Sequence, residues 1–135
     1  MKMNKALTVA GLLLVLVTPA LTEETSATYS QIESEIGCQG KATDMKKDLI
    51  FNTKYRDRWV TWTGIVRDVK DGAIWFKAIG SHSIGSDFDV KMAPNVDLMQ
   101  FDKDQTVTVR FQIKDYMGCI LPLRGTDGTI VNNRG

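Results

Sequence analysis

A two-residue alternation of apolar and polar side chains runs through the second half of the chain and is clearest over residues 106–113. Because successive side chains of a strand point to opposite faces, this period predicts a strand with one buried face. The same pattern predicts a long first strand from Trp59, and further strands over residues 73–77, 88–92 and 119–124. A turn at 125–128 would lead to a short terminal strand at 129–131. Together these segments indicate an all-β domain.

Two features of the sequence indicate which type of small β-barrel to expect. Gly64 lies in the middle of the first strand and predicts a bulge or bend, which would let one strand serve both halves of a small barrel. A segment over residues 94–99 predicts a short helical insert between strands three and four. We therefore expect a five-stranded OB-fold barrel whose interior holds Ile74, Phe76, Val107 and Val109. An SH3-like barrel is the nearest alternative, but it has no obligatory helical insert at that point.

The N-terminus has the pattern of a signal peptide. Lys2 and Lys5 precede an uncharged, mostly apolar segment over residues 6–17, which is too short to span a bilayer. We expect a signal peptide over residues 1–20, with cleavage as late as residue 27, and a mature protein in the periplasm or outside the cell. After cleavage we expect no stable membrane insertion. The alternative is an uncleaved membrane anchor.

Two helices are expected before the first strand. Ser30 with Glu33 matches a capping box, which predicts a short helix in an N-terminal extension over residues 21–42. A second helix, capped by Thr43 or Asp44, opens the OB-fold domain over 43–131, and residues 132–135 form a tail. In this all-β fold with N-terminal helices, the second helix is expected to pack through one face, which carries Met45, Leu49 and Ile50.

The chain has two cysteines, Cys38 and Cys119. An even number of cysteines in an exported protein favours a disulfide, which would join the N-terminal extension to the last strand. Two buried free thiols are the alternative.

The charge balance argues against a strongly basic nucleic-acid-binding surface. The whole chain has a formal net charge of +1, from 17 basic and 16 acidic residues. Without Lys2 and Lys5 the net charge becomes −1. A protein that grips nucleic acid non-specifically usually has a basic excess.

The candidate ligand-binding surface is the outer face of strands two and three, where OB-fold proteins commonly bind ligands. The side chains expected there or in the flanking loops are Lys70, Asp71, Trp75, Lys77, Asp89, Lys91, Asp115 and Tyr116. An outward tryptophan beside lysines can stack on a base or a sugar ring while the ammonium groups meet anionic groups. The alternative is that Trp75 packs under a loop or the N-terminal helices and that the lysines are solvated.

The sequence offers little for catalysis or metal binding. His82, the single histidine, lies between Ser81 and Ser83 in a Gly- and Ser-rich loop, where a fixed nucleophile–base pair is rarely formed. One histidine and two distant cysteines do not make a zinc-type cluster. We therefore expect a protein that is not an enzyme, with no metal and no cofactor.

One stretch of the sequence resembles a known family. The residues from Lys54 through Tyr55, Arg56, Trp59 and Gly64 to Val69 resemble the opening of the tRNA-anticodon-binding-like OB-fold family of exported bacterial proteins. The turn over 102–109 is similar as well, although Gln105 stands where that family usually has glycine. The resemblance covers about residues 43–131 and implies kinship with nucleic-acid binders.

Two functions follow as expectations. The first is an exported, non-enzymatic OB-fold binding module that engages an unknown protein, glycan or oligonucleotide through Trp75, Lys77 and Lys91. The second is an exported single-stranded nucleic-acid-binding protein.

Overall fold

The computed structural model describes residues 23–131, so the predicted signal peptide and the tail over 132–135 lie outside the described residues. Two helices come first, α1 (Tyr29–Ile36) and α2 (Asp44–Ile50), and α2 continues as a π-helical turn (Phe51–Tyr55). Five strands follow: β1 (Trp59–Lys70), β2 (Ala73–Ala78), β3 (Phe88–Met92), β4 (Thr106–Asp115) and β5 (Leu123–Ile130). A 3-10 turn (Leu98–Gln100) lies between β3 and β4. None of the helices between residues 23 and 131 is long and apolar enough to cross a membrane.

The strands form a closed barrel in the order β1-β2-β3-β5-β4. β3 and β5 are parallel, and the other neighbours are antiparallel. The first half of β1 pairs with β4 from Trp59 to Ile65, and the second half pairs with β2 from Gly64 to Lys70. One strand therefore serves both halves of the barrel, as expected. The bulge lies between Val66 and Asp68, so the prediction of a bulge at Gly64 was wrong. Gly64 is the position at which β1 passes from β4 to β2.

The barrel interior holds the residues that the alternation predicts. Ile74, Phe76 and Val109 are fully buried, and Val107 is nearly so. The rings of Phe76 and Phe88 stack with centroids 4.9 Å apart. A closed barrel of this size is filled by its own side chains, so the described interior is a packed core rather than a ligand cavity.

The last strand differs from its prediction. β5 is one strand, Leu123–Ile130, whereas the sequence suggested a strand over 119–124, a turn and a second short strand. The Gly- and Asp-containing segment is part of the strand, since Gly125 pairs with Val90 of β3 and Ile113 of β4. The barrel leaves no room for a side chain at Gly125. A Cβ atom at Gly125 would lie 2.1 Å from a ring carbon of Phe111. Glycine at this position reflects close packing rather than a turn.

Helix α1 begins one residue before the predicted cap. Thr28 is the N-cap: its hydroxyl accepts from the Gln31 backbone N–H at 3.1 Å, and the Gln31 side chain accepts from the Thr28 N–H at 2.9 Å. The capping box is therefore Thr28 with Gln31, and the prediction of Ser30 with Glu33 was wrong. The second helix is capped by Thr43, one of the two predicted residues.

The N-terminal segment and the barrel share one core. Ile32 and Ile36 of α1 are buried in the same cluster as the barrel interior. The predicted disulfide is confirmed: Cys38 and Cys119 are bonded, with their Cα atoms 4.9 Å apart. Cys119 lies in the loop before β5 and not in the strand itself. The disulfide therefore holds the end of α1 against the β4–β5 loop.

Helix α2 packs through a different face from the one expected. Met45 and Leu49 are exposed, and Ile50 is only partly buried, so the prediction of packing through these residues was wrong for the first two. Phe51 and Tyr55 in the π-helical turn are buried instead. Residues four apart stay on one side of a helix, and this turn brings both rings onto the barrel.

Candidate functional site

The tight turn between β1 and β2 positions a lysine over a tryptophan. Asp71 and Gly72 have φ values of 54° and 79°, the left-handed conformations that a two-residue hairpin turn requires. Lys70 and Ala73 pair directly across this turn. As a result the Lys70 ammonium lies 5.2 Å from the centre of the Trp75 ring, within cation–π range.

A row of polar side chains crosses the outer face of four strands. Trp75 of β2 pairs with Asp89 of β3, Asp89 pairs with Arg124 of β5, and Arg124 pairs with Asp115 of β4. Directly opposed residues on one face have Cβ atoms about 5 Å apart, so these side chains are neighbours. Lys91 lies two residues after Asp89 in β3, and therefore on the same outer face.

The row lies in an open groove with a volume of about 330 Å³. Seven charged residues line the groove together with Trp75: the cations Lys70, Lys91, Lys114 and Arg124, and the carboxylates Asp71, Asp89 and Asp115. The aromatic ring is therefore surrounded by both signs of charge, with one more cation than anion. Such a groove can hold a flat ring and an anionic group of one ligand.

Asp89 is the electrostatically unusual member of the groove. It is partly buried, and its Oδ1 has no hydrogen-bond partner among the described residues. Burial raises the pKa of this carboxyl above its ordinary value, while a hydrogen bond with Ser86 and the charge of Arg124 act in the opposite direction. A carboxylate oxygen without a hydrogen-bond partner in the folded chain can accept a hydrogen bond from a ligand or from water.

Two ion pairs hold the β4 side of the groove. The Lys114 ammonium lies 2.7 Å from a carboxylate oxygen of Asp57, and the Arg56 guanidinium lies 3.7 Å from Asp115. The other three cations of the groove, Lys70, Lys91 and Arg124, form no ion pair with any residue between 23 and 131. These three are therefore the cations most available to a ligand.

The structure brings together some of the predicted site residues and separates others. Lys70, Trp75 and Lys91 line the same groove. Lys77 lies two residues further along β2, opposite Ile65, and does not line it. Tyr116 lies elsewhere: its hydroxyl donates to the backbone carbonyl of Ile36, and its ring packs 5.8 Å from that of Phe51. Tyr116 therefore supports the helices rather than the groove.

Lys114 and Arg124 line the groove but were not among the predicted site residues. Arg124 follows the buried Leu123, so alternation alone would place it on the outer face. Its position next to Asp89 depends on the parallel pairing of β3 and β5, which no local pattern reveals.

In the loop with the single histidine, the serine hydroxyls bond to groups other than His82. Ser83 donates its hydroxyl to Asp87 at 2.7 Å, and Ser81 donates to Ser83 at 3.1 Å. His82 forms no hydrogen bond with either serine in the described chain. Residues 23–131 also contain no group of three or more His, Cys, Asp or Glu side chains that could hold a metal ion.

Comparison with known proteins adds no relative: no family model, no curated protein and no solved structure matches this chain. The groove must therefore be interpreted from its own chemistry.

Proposed function

We propose that this chain is an exported, non-enzymatic binding module with an OB-type fold, which holds its ligand in the groove across β2, β3 and β5. The order β1-β2-β3-β5-β4, the parallel β3–β5 pair and the shared first strand support the OB assignment. The groove lies on the face of β2 and β3, where OB barrels commonly bind ligands. The disulfide and the predicted signal peptide support export.

The observation that carries this proposal is the setting of Trp75. A core tryptophan would be buried among apolar residues, but Trp75 is partly exposed on the outer face, with a lysine over its ring and a groove beside it. A large aromatic ring held on a rigid strand loses little conformational freedom when it stacks on a ligand. Three groove cations without ion-pair partners in the described chain, Lys70, Lys91 and Arg124, then favour a ligand that carries negative charge.

A single-stranded oligonucleotide is the second candidate function, and the Trp75–Lys70 pair is the observation that favours it. A base can stack on an exposed ring while its phosphates meet Lys70 and Lys91. The three carboxylates in the groove repel a strand with several phosphate groups more strongly than they repel a ligand with a single anionic group. We therefore place the oligonucleotide behind a ring-bearing ligand with one anionic group.

The test is a binding measurement on two classes of probe. Fluorescence anisotropy with a labelled oligothymidylate of about 10 nucleotides and an array of acidic and neutral glycans would be measured for the wild type and for Trp75→Ala. We expect at least one probe class to bind, and Trp75→Ala to abolish that binding. If oligothymidylate binds, its affinity should fall steeply between about 50 and 200 mM salt.

Lys103→Ala is a matched control, since it removes a cation from a turn that does not line the groove. Binding that is unaffected by Trp75→Ala but lost with Lys103→Ala would reject the groove as the ligand site. Failure of both probe classes to bind the folded wild type would reject an anionic, ring-bearing ligand.

A further inference from the structure

Two loops carry exposed large apolar side chains and, apart from the buried Asp87, no Asp, Glu, Lys or Arg. One joins β2 to β3 over residues 79–87, and the other joins β4 to β5 over residues 116–122. We call them the apolar loop pair. In a chain in which 24% of the residues are charged, two long loops with one formal charge between them, and that one buried, are unusual. Surface loops are ordinarily the most polar part of a small domain.

The apolar loop pair lies at one end of the barrel. β3 and β5 run parallel, and their first residues, Phe88 and Leu123, are paired. The Leu123 backbone N–H donates to the carbonyl of Asp87, the last residue of the first loop, at 3.1 Å. Ile79 and Cys119, one from each loop, line the same cavity of about 310 Å³. The two loops are therefore neighbours.

The apolar side chains of these loops extend into solvent. Ile84 is 91% exposed and Ile120 is 86% exposed. Ile79, Met117 and Leu121 are each about half exposed or more. Five of the nine exposed large apolar residues of the described chain are thus concentrated in two short segments. Clustered exposure of this kind marks an interaction surface, whereas scattered single residues do not.

The chemistry of the loops fits a lipid bilayer better than a protein partner. Protein interfaces combine an apolar centre with a polar rim that forms hydrogen bonds, and they need flat, complementary surfaces. Here the apolar side chains are carried on loops with glycine and serine between them, and there is no charged rim within the loops. Entry into the bilayer interior is strongly opposed by charged side chains, and the two loops expose none of their own.

Both loops are also fixed, which favours insertion. The disulfide at Cys119 anchors the second loop to the end of α1. In the first loop, Ser83 donates to Asp87 and the Arg67 guanidinium donates to the carbonyl of Ile84. Apolar tips that are already held in place lose little conformational entropy on binding.

The charges nearest to the loops have both signs. Arg67 and Lys77 are close to the first loop, while Asp44, Lys47 and Asp48 line a cavity with Met117 of the second. Attraction to an anionic surface would therefore be partly cancelled by repulsion. Binding should depend on apolar insertion more than on lipid charge.

We propose that the apolar loop pair inserts reversibly into the interface of a lipid bilayer, so that the barrel is a peripheral membrane-associated protein. The insertion involves loop tips only, crosses no bilayer and is independent of the ligand groove. Ile84 and Ile120 are the principal inserting residues because they are the most exposed.

The test is co-sedimentation with phosphatidylcholine vesicles. The protein is produced from residue 21, because the apolar segment over 6–17 would itself bind lipid, and every core residue of the described chain lies between Ile32 and Leu123. We expect the wild type to bind, with little change on adding salt or phosphatidylglycerol. The double variant Ile84→Ser/Ile120→Ser should reduce the partition coefficient at least about tenfold, since two apolar side chains no longer enter the bilayer.

Met99→Ser is the matched control. Met99 is as exposed as Ile84, at 91%, but it lies in the 3-10 turn that follows the opposite end of β3. We expect this variant to bind vesicles like the wild type. Thermal unfolding of both variants should match the wild type, because the replaced side chains have few contacts.

Three results would overturn the proposal. The first is a wild type that does not co-sediment with vesicles of either composition. The second is an equal loss of binding for Met99→Ser and the double variant. The third is a concentration-dependent dimer in analytical ultracentrifugation that the double variant abolishes without any vesicle binding, which would assign the apolar loop pair to a second copy of the chain.

Discussion

The indole N–H of Trp62 donates to the backbone carbonyl of Ala27 at 2.9 Å, which ties the segment before α1 to the middle of β1. The Trp62 ring also meets Phe88 edge-on, with centroids 5.1 Å apart. One side chain therefore contacts both the barrel interior and the N-terminal segment. The N-terminal segment therefore packs directly on the barrel.

Trp62→Phe should weaken this connection. The variant loses one hydrogen bond and leaves the space of the larger ring partly empty, so we expect a loss of about 2 kcal/mol in the free energy of unfolding. Urea denaturation measures this loss. Hydrogen exchange should show faster exchange of the α1 amides in particular, and an unchanged pattern in α1 would contradict the proposed connection.

The disulfide should contribute strongly to stability because it closes a long loop. Cys38 and Cys119 are separated by 81 positions, and the chain-entropy estimate for a loop of this size is about 4 kcal/mol. We expect the variant Cys38→Ser/Cys119→Ser to lose about that much unfolding free energy in urea denaturation. Reduction of the wild type should produce a similar loss. Alkylation of the unreduced, denatured protein should label no thiol.

Gly64 lies where β1 changes partners and where two rings approach the backbone. A Cβ atom there would lie 2.9 Å from ring carbons of both Phe76 and Phe88. Because these rings are stacked on each other in the core, neither can move away freely. Gly64→Ala should therefore cost about 1–3 kcal/mol of unfolding free energy by overpacking.

Gly85→Ala is the control for Gly64→Ala, since a Cβ atom there would meet nothing within 4 Å. We expect its unfolding free energy to stay within about 0.5 kcal/mol of the wild type. Equal losses for the two variants would show that close packing is not the reason for glycine at position 64.

Adjacent residues of β2 should respond very differently to truncation. Trp75 is only partly buried on the outer face, whereas Phe76 is fully buried. We expect Trp75→Ala to cost at most about 1 kcal/mol, the lost contacts with Lys70 included. Phe76→Ala should cost about 3–5 kcal/mol. A loss of that size for Trp75→Ala, measured by the same urea denaturation, would make Trp75 a structural residue.

Local patterns in the sequence predict most of the barrel. The alternation around Ile74 and Val107 reports directly which side chains face the interior, because a strand has only two faces. The disulfide is predictable because a chain with two cysteines can form only one intramolecular pairing. Trp75 is assigned to the outer face by the burial of its two neighbours in the chain.

The features that were missed depend on long-range contacts. The glycine at position 125 looks like a turn residue until Phe111 is placed beside it. Arg124 joins the groove only through the parallel pairing with β3, and Tyr116 leaves it because its hydroxyl reaches Ile36. Met45 has helical spacing, but the π-helical turn after α2 presents Phe51 to the barrel instead. The cases of Gly125, Arg124 and Tyr116 were decided by partners far away in the sequence.

Asp89 should make the stability of the fold depend on pH. Burial raises its folded-state pKa above the ordinary carboxyl value, so the folded chain takes up this proton more readily than the unfolded chain. The destabilisation is present above the folded pKa and disappears as the pH falls below the ordinary carboxyl value of about 4. Asp89→Asn removes this titration at nearly constant size. We therefore expect the variant to be more stable than the wild type at about pH 7.

The advantage of Asp89→Asn should shrink as the pH is lowered and vanish near about pH 3, where the wild-type carboxyl is protonated in both states. Thermal unfolding across this range measures the difference. Asp71→Asn removes a negative charge from the same groove and is the control for net charge. A stability gain for Asp89→Asn that is constant with pH, or one equalled by Asp71→Asn, would contradict the assignment. Because Asp89 lowers the stability of the fold and lines the groove, a role in ligand binding explains this residue better than a role in folding.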